Sequence, residues 1–174
     1  MSVEAQAKAE MEKIDFKETT YQVELETSMG KILLNLFPEV APEHCKNIIA
    51  LSKIGFYDGL CFHRVIDGFV IQGGCPEGTG TGGPGYNVNA EFNAKPHELG
   101  TLSMARAGHP DSAGSQFFLC LGRVAHLDNQ YTVYGEAAND ESRDVIASIG
   151  KVETGRGDRP LDEVQIVKAT VIES

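Results

Sequence analysis

The chain has 174 residues, a length typical of one compact domain that buries a sizeable core without disulfides or a structural metal. Its formal net charge is −10, and an acidic surface repels phosphate backbones, which argues against nucleic-acid binding. No apolar run approaches the ~18 residues that a membrane span needs, so we expect no membrane association.

The cysteines and the amino terminus bear on the cellular compartment. Cys45, Cys61, Cys75 and Cys120 form no C-x-x-C pair, which favours free thiols in a reducing compartment over a zinc or redox motif. Residues 1–16 alternate acid with base and have no apolar core, so they are not a signal peptide. We therefore expect a cytoplasmic protein without metal or cofactor, and a monomer, because nothing in the sequence demands an oligomer.

The first predicted elements are a helix-prone segment and a hairpin. Residues 1–18 form an appendage rich in Ala, Glu and Lys, which favour helix. Apolar and polar residues then alternate over 21–26, as in a half-buried strand. Met29-Gly30 suits a turn, so residues 31–37 are predicted to pair with the first strand.

A helix and a second hairpin follow. Pro42 suits a first helical turn and Gly55 a helix end, which predicts a helix over 42–54. Two short apolar runs, 61–66 and 69–71, are separated by the strong turn signal Asp67-Gly68.

The second half begins with a glycine-rich stretch, 73–85, which must be loop because glycine is costly in regular elements. Asn139 and Gly150 bracket a second predicted helix over 139–149. Four further runs favour strands: 102–105, 116–121, 131–134 and 164–171. Many short strands with few helices indicate an antiparallel sandwich or barrel, and periodicity alone leaves that choice open.

Two long motifs resemble the signatures of cyclophilins. The first is FHRVIDGFVIQGG at residues 62–74, and the second is GTLSMARA at 100–107 continuing to GSQFF at 114–118. The resemblance extends over about residues 20–174, so we expect an isomerase domain at 19–174 behind the appendage 1–18. The family implies a mainly β fold, a closed antiparallel eight-stranded barrel capped by two α-helices.

The resemblance also implies roles for eleven residues. Arg64 matches the family's catalytic arginine, and we group Gln72 and Phe69 with it as catalytic. Eight others match positions that hold the proline ring or the peptide backbone, and we expect them to bind substrate: Val70, Ala105, Arg106, Gln116, Phe118, His126, Leu127 and Tyr131.

Four positions depart from the pattern common in the family and resemble its bacterial-type members. Arg106 stands where many relatives have asparagine, His126 where tryptophan is frequent, Tyr131 where histidine is frequent, and Val70 where methionine is common. Because His126 lacks the indole, we expect only weak cyclosporin binding.

Several of these residues also have simpler interpretations. Strand alternation puts one of Phe117 and Phe118 in the core, and the resemblance assigns the pocket to Phe118. His63 precedes Arg64 on a strand and is therefore interpreted as structural. The tripeptide at 156–158, Arg-Gly-Asp, has the composition of an integrin-binding motif, which we attribute to chance.

The sequence thus predicts a peptidyl-prolyl cis–trans isomerase that acts on proline-containing peptides and unfolded chains without a covalent intermediate. A second hypothesis is a non-catalytic proline-peptide binding module or chaperone on the same groove; its expected signature, loss of the arginine, is absent because Arg64 is present. A third is that the acidic surface and residues 1–18 recruit a partner.

Overall fold

Eight strands, three α-helices and two short 3₁₀ turns make up the computed structural model, which describes residues 1–174. None of the helices is both long and apolar enough to cross a membrane. In chain order the elements are α1 (Val3–Met11), β1 (Tyr21–Thr27), β2 (Gly30–Leu36), α2 (Pro42–Lys53), β3 (Arg64–Ile66), β4 (Val70–Gly73), β5 (Thr101–Met104), β6 (Phe117–Cys120), a 3₁₀ turn (Ala125–Leu127), β7 (Val133–Ala137), α3 (Asp140–Ile149), a 3₁₀ turn (Arg156–Asp158) and β8 (Ile166–Glu173).

All strand pairs are antiparallel, and they form one sheet in the order β3-β4-β6-β5-β7-β2-β1-β8. The expected closed barrel is wrong, because the ladder ends at β3 and β8 and leaves an open half-barrel. The reason lies before β3, where residues 59–63 form no strand. Backbone hydrogen bonds still join Gly59, Leu60 and Phe62 to Val164 and Ile166, but the pairing is limited to an isolated bridge between Cys61 and Gln165.

The strand boundaries differ from the predicted runs mainly at the ends. The run 61–66 forms a strand only from Arg64 onward, and the run 131–134 becomes β7, which starts later at Val133. In the second case Thr132 uses its side-chain oxygen to accept a hydrogen bond from the backbone N–H of Glu91 at 2.9 Å. Its carbonyl oxygen accepts from the backbone N–H of Met104 at 3.0 Å, beside a register shift in the β5–β7 pairing. The hairpins around Met29 and Asp67 are present as predicted.

The helices cover the sheet on its open flanks. α2 packs against β1, β7 and β8, and α3 packs against β2 and β7. α3 is capped as its sequence indicates, since the Asn139 side chain accepts a hydrogen bond from the backbone N–H of Ser142 at 2.8 Å. The third helix, α1, lies on α2 and buries Ala7 completely.

Two apolar clusters lie on opposite faces of the sheet. The larger has 27 buried residues, among them Leu25, Ile32, Phe62 and Phe117, and forms the interior. The smaller cluster consists of Val70, Phe118, Cys120, Val124 and Leu127. A bound ligand can bury an apolar cluster that lies on an outer face, so such a cluster marks a candidate binding site.

Candidate active site

Three residues of the smaller apolar cluster, Val70, Phe118 and Leu127, form the floor of a pocket of about 150 Å³. The pocket lies where β3, β4 and β6 meet the segments that follow β5 and precede β7. Nine of the eleven residues predicted from the motifs line it: Arg64, Phe69, Val70, Gln72, Ala105, Arg106, Phe118, Leu127 and Tyr131.

Strand β6 sorts its two phenylalanines onto opposite faces, as alternation requires. Phe117 points inward and makes edge-to-face contacts with Tyr57 and Phe62 at ring-centroid distances of 5.6 and 6.2 Å. Phe118 points outward and meets Tyr131 edge-to-face at 5.8 Å. Its side chain is nearly buried and forms the pocket floor, where the sequence motif had placed it.

A row of polar side chains holds the arginine at the pocket mouth. The β3–β4 hairpin pairs Arg64 with Gln72, and the Arg64 Nη1 donates to Gln72 Oε1 at 3.2 Å. Gln72 Nε2 donates to Gln116 Oε1 at 3.2 Å, and Gln116 Nε2 donates to the carbonyl oxygens of Gly80 and Gly82 at 2.9 and 3.0 Å. The row orients each amide, so the Gln72 oxygen faces the guanidinium. No carboxylate neutralises Arg64, which therefore presents a full positive charge to the pocket.

Arg106 shapes the opposite wall. Its guanidinium donates to the carbonyl oxygens of Ala107, Gly108 and Gln130 at 2.8–3.1 Å and lies 4.6 Å from the centre of the Tyr131 ring. These bonds tie two loops together over the ring, since the five donors of a guanidinium can serve several carbonyls at once. The Arg106 side chain is thus committed to the protein, which leaves its backbone to face a peptide.

The two predicted residues outside the pocket lie beside it. Gln116 lines an adjoining groove of about 610 Å³ that is bordered by residues 80–87 and 105–107. His126 is exposed and stacks flat on Phe69, with ring centroids 5.9 Å apart and planes 18° apart. His126 therefore supports the pocket rim from outside instead of lining the pocket.

Sequence reasoning missed a polar network under the floor. The buried His97 ring stacks on Phe118 at 6.0 Å, with Nδ1 3.0 Å from Asp128 Oδ1 and Nε2 2.8 Å from Ser103 Oγ. Burial lowers the pKa of His97 although the Asp128 carboxylate opposes it. A hydrogen bond from Arg123 is the main reason that the pKa of Asp128 is held well below its usual range. The network fixes the Phe118 ring from beneath.

This geometry suits one small apolar ring flanked by peptide backbone, with a cation at the edge of the site.

A family model described as cyclophilin type peptidyl-prolyl cis-trans isomerase/CLD matches residues 22–171. The peptidyl-prolyl cis-trans isomerase of Synechococcus elongatus is 53% identical over 128 residues, which are 74% of this chain and 88% of that protein. Peptidyl-prolyl cis-trans isomerase ppi1 of Schizosaccharomyces pombe is 44% identical over 155 residues, which are 86% of this chain and 98% of that protein.

Solved structures agree. A crystal structure of a cyclophilin type peptidyl-prolyl cis-trans isomerase from Cryptosporidium parvum, determined in the presence of the dipeptide Ala-Pro, matches with a TM-score of 0.82. The two chains are 32% identical, and the match covers 87% of this chain and 98% of the other. The chain therefore belongs to the cyclophilin-type peptidyl-prolyl cis–trans isomerase family, as the two motifs predict.

Proposed function

We propose that the protein accelerates rotation about X-Pro peptide bonds in peptides and folding chains, with Arg64, Gln72 and Phe69 as its catalytic residues. One observation carries the proposal: the apolar pocket has an arginine without a carboxylate partner at its mouth. The uncatalysed rotation faces a barrier of ~18–20 kcal/mol because amide resonance must be broken. No nucleophile, cofactor or covalent intermediate is needed for such a rotation.

The pocket supplies the first part of the mechanism. A volume of about 150 Å³ bounded by Phe69, Phe118 and Leu127 is large enough for a proline ring. With the ring held, rotation must occur on the side of the preceding carbonyl. Burial of the ring provides binding energy that is the same for the cis and trans forms, so it anchors the substrate without favouring either one.

Arg64 supplies the part that favours the transition state. When the amide twists, the proline nitrogen loses its conjugation and its lone pair becomes a hydrogen-bond acceptor. A guanidinium already held in place can donate to that lone pair only in the twisted state, which is differential stabilisation. Gln72 keeps the guanidinium in position through its bond to Nη1. A selective stabilisation of ~7 kcal/mol corresponds to about 10⁵-fold in rate.

The strip after β5 and the adjoining groove supply the grip on the peptide backbone. Ala105 and Arg106 line both the pocket and the groove of about 610 Å³. Gln116 borders that groove, and Tyr131 and Val70 complete the pocket wall. A peptide whose proline occupies the pocket would run along this strip, and fixing its backbone concentrates the rotation on one bond.

The same reasoning extends to partners and location. The structure of the Cryptosporidium parvum relative was determined in the presence of the dipeptide Ala-Pro, which supports proline-containing peptides as ligands here. We further propose that the protein is a cytoplasmic monomer of bacterial-like type that binds cyclosporin weakly. Residues 19–174 would form the isomerase domain and residues 1–18 an accessory segment. A purely non-catalytic binding module is not favoured, because it has no use for an unneutralised arginine at the pocket mouth.

The test is a protease-coupled assay at low temperature on a tetrapeptide containing Ala-Pro, with the wild type beside Arg64→Ala. We expect clear acceleration by the wild type and a loss of about 10²–10³-fold in kcat/KM in the variant, the size found when one transition-state donor is removed. Circular dichroism of both proteins controls for folding. A variant that isomerises as fast as the wild type would overturn the assigned role of Arg64, and an inactive wild type would favour the binding module.

A further inference from the structure

A second cavity opens on the other side of Arg64, away from the strip that follows β5. It has a volume of about 360 Å³ and shares Arg64 and Gln72 with the proline pocket. Its remaining lining comes from the residue before β3, the glycine-rich loop, and the 3₁₀ turn before β8 with the residue that follows that turn: His63, Thr79, Gly80, Arg156, Gly157 and Arg159. No acidic residue lines this cavity.

Half of the protein's arginines converge there. The chain has six, and three of them, Arg64, Arg156 and Arg159, line this one cavity. None of the three takes part in any ion pair of the structure. In contrast, Arg123 and Arg143 each pair with an aspartate at 2.6 and 2.7 Å. Such a cluster is unexpected on a protein with a net charge of −10.

The cluster has unused hydrogen-bonding capacity. Arg159 donates to the carbonyl oxygen of Gly78 and contacts Cys61 Sγ at 3.9 Å, and Arg64 donates only to Gln72. Arg156 is exposed and belongs to the 3₁₀ turn in which Gly157 and Asp158 have positive φ angles of 70° and 60°. Asp158 itself pairs with no cation and does not line the cavity.

His63 adds a buried ring to the lining of this cavity. Its side chain lines the cavity, the residue is only 7% exposed, and its Nδ1 is buried without any hydrogen-bond partner. Burial, and then the charges of Arg159 and Arg64, lower the pKa of His63. An anion in the cavity would neutralise part of the clustered arginine charge.

We propose that this cavity is a subsite for an anionic side chain, a carboxylate or a phosphate, carried by the client peptide close to the proline held in the pocket. The inference rests on the proposed function, since it requires a peptide in that pocket. Three guanidinium groups match the several acceptor oxygens of such a group. On one side of Gln72, the strip at Ala105 and Arg106 would bind one half of the peptide. The anionic residue would then belong to the other half, which runs from the proline towards Arg64 and this cavity.

The Arg-Gly-Asp tripeptide thereby acquires a local role unrelated to its resemblance to an integrin-binding motif. Its glycine, with φ of 70°, allows the tight turn that brings Arg156 beside Arg64 in the cavity lining. A client with an acidic residue near its proline would be repelled by the acidic surface elsewhere and attracted at this cavity, which gives selectivity of orientation.

The experiment compares matched peptides. The host is a heptapeptide of six alanines and one central proline. A single Glu replaces each alanine in turn, three positions before the proline and three after it. The control for each peptide has Gln at the same position. Isomerisation is followed by exchange NMR without protease, and binding by shifts of the Arg156 Nε–H and His63 ring signals. We expect at least one Glu peptide to show kcat/KM about three-fold or more above its Gln control at low salt, with the gain in KM, disappearing at high salt.

Two variants isolate the subsite. Arg156→Gln should abolish the Glu advantage and leave the Gln peptides unchanged, and Arg156→Glu should reverse the preference towards a Lys peptide. The control is Lys17→Gln, which removes one charge from an exposed residue outside every cavity described here and should leave the preference unchanged. A phosphoserine peptide and free inorganic phosphate distinguish a client-borne anion from a free one.

The outcomes separate the two proposals. Equal rates for Glu and Gln peptides in an active wild type would overturn the subsite and leave the isomerase standing. If the wild type isomerises neither peptide, the function fails, and the binding shifts then decide the subsite alone: a Glu-specific shift at Arg156 supports it, and no shift refutes it. Binding of free phosphate without any preference among peptides would also refute a client subsite.

Discussion

At the scale of single residues, the contact between His126 and Phe69 bears on which ligands the pocket rim can hold. The imidazole lies flat on the outer face of the phenyl ring and is itself exposed. It therefore buttresses Phe69 but adds little apolar surface to the pocket. A large apolar cyclic peptide such as cyclosporin would gain less contact area here than beside an indole.

We therefore predict a cyclosporin dissociation constant above about 1 µM for the wild type, and binding about ten-fold tighter for His126→Trp, the factor that 1.4 kcal/mol of added contact provides. Titration calorimetry measures both, with His126→Ala as the control for loss of the ring. The tetrapeptide assay should be unchanged, because His126 does not line the pocket. Nanomolar binding by the wild type would refute this interpretation of the rim.

The sequence predicts the positions of some site residues better than those of others. Arg64 and Phe118 lie within long motifs, and strand alternation separates Phe118 from Phe117, so their placement followed from the sequence. His97 and Asp128 did not, because they are 31 positions apart and meet only through the folded loops. His63 was expected to face away from the site and be structural, yet it lines the arginine cavity, because β3 begins only after it at Arg64 and the alternation rule does not apply.

At the scale of elements, α2 depends on a distant residue for its start. Its N-cap residue, Ala41, has no side chain able to accept a hydrogen bond. The Glu91 carboxylate does so instead, accepting from the backbone N–H groups of Glu43 and His44 at 3.3 and 2.8 Å and contacting His44 Nδ1 at 2.6 Å. One carboxylate thus satisfies the helix terminus and one nitrogen of a buried ring.

We predict that Glu91→Ala lowers the free energy of unfolding by about 1–3 kcal/mol, the range for loss of a helix cap together with a buried partner. Glu43→Ala is the matched control: it also removes a carboxylate from the start of α2, but that side chain is 62% exposed, and the effect should stay within about 0.5 kcal/mol. Urea unfolding followed by circular dichroism measures both. Equal effects in the two variants would show that Glu91 is not the cap.

The elements themselves could be predicted better than the way in which the sheet ends. Alternation, the turn residues and the helix signals placed every strand within a few residues. Closure of the barrel was wrong because it depends on whether β3 and β8 have enough regular backbone to pair, and β3 has only three residues. No local pattern reports that length.

At the scale of the whole molecule, the amino-terminal segment belongs to the body of the protein without reaching its site. Ala7 of α1 is fully buried, and Phe16 makes an edge-to-face contact with Tyr21 of β1 at 5.7 Å. No residue of 1–18 lines the proline pocket, its adjoining groove or the arginine cavity. The contacts of this segment with α2 and β1 can therefore affect the stability of the fold without affecting the site directly.

We predict that deletion of residues 1–18 lowers the free energy of unfolding by about 1–3 kcal/mol through lost apolar burial, while kcat/KM on the tetrapeptide stays within about a factor of two, as expected for distant, independent sites. The full-length variant Ala7→Asp, which should undock α1 without shortening the chain, is the control. If the deletion variant lost more than ten-fold in activity, or lost only its solubility, the result would instead favour a role of residues 1–18 in recruiting a partner or in controlling access to the site.

Acid should destabilise the whole molecule in two steps. His63 and His97 have lowered pKa values, mainly through burial, so the unfolded chain takes up their protons first and stability falls as the pH drops below about 6.5. Burial raises the pKa of Glu91, but hydrogen bonds from the His44 ring and from the backbone outweigh it and lower the pKa. The pKa of Asp128 is lowered chiefly by Arg123. Both carboxylates therefore stabilise the fold at pH values above the ordinary carboxyl pKa, about 4. That stabilisation is lost as the pH falls below this value.

Two variants assign the steps. His63→Phe, which keeps the ring volume, should reduce the decline between about pH 7 and 5, and Glu91→Gln should reduce the decline below about pH 4.5. Urea midpoints at pH 7, 6, 5, 4 and 3 measure both. The stability difference between wild type and Glu91→Gln should be largest above pH 5 and shrink towards pH 3, because a protonated Glu91 resembles the amide. A difference that stays constant over this range would mean that Glu91 acts only through packing, since a neutral contact has no reason to depend on pH.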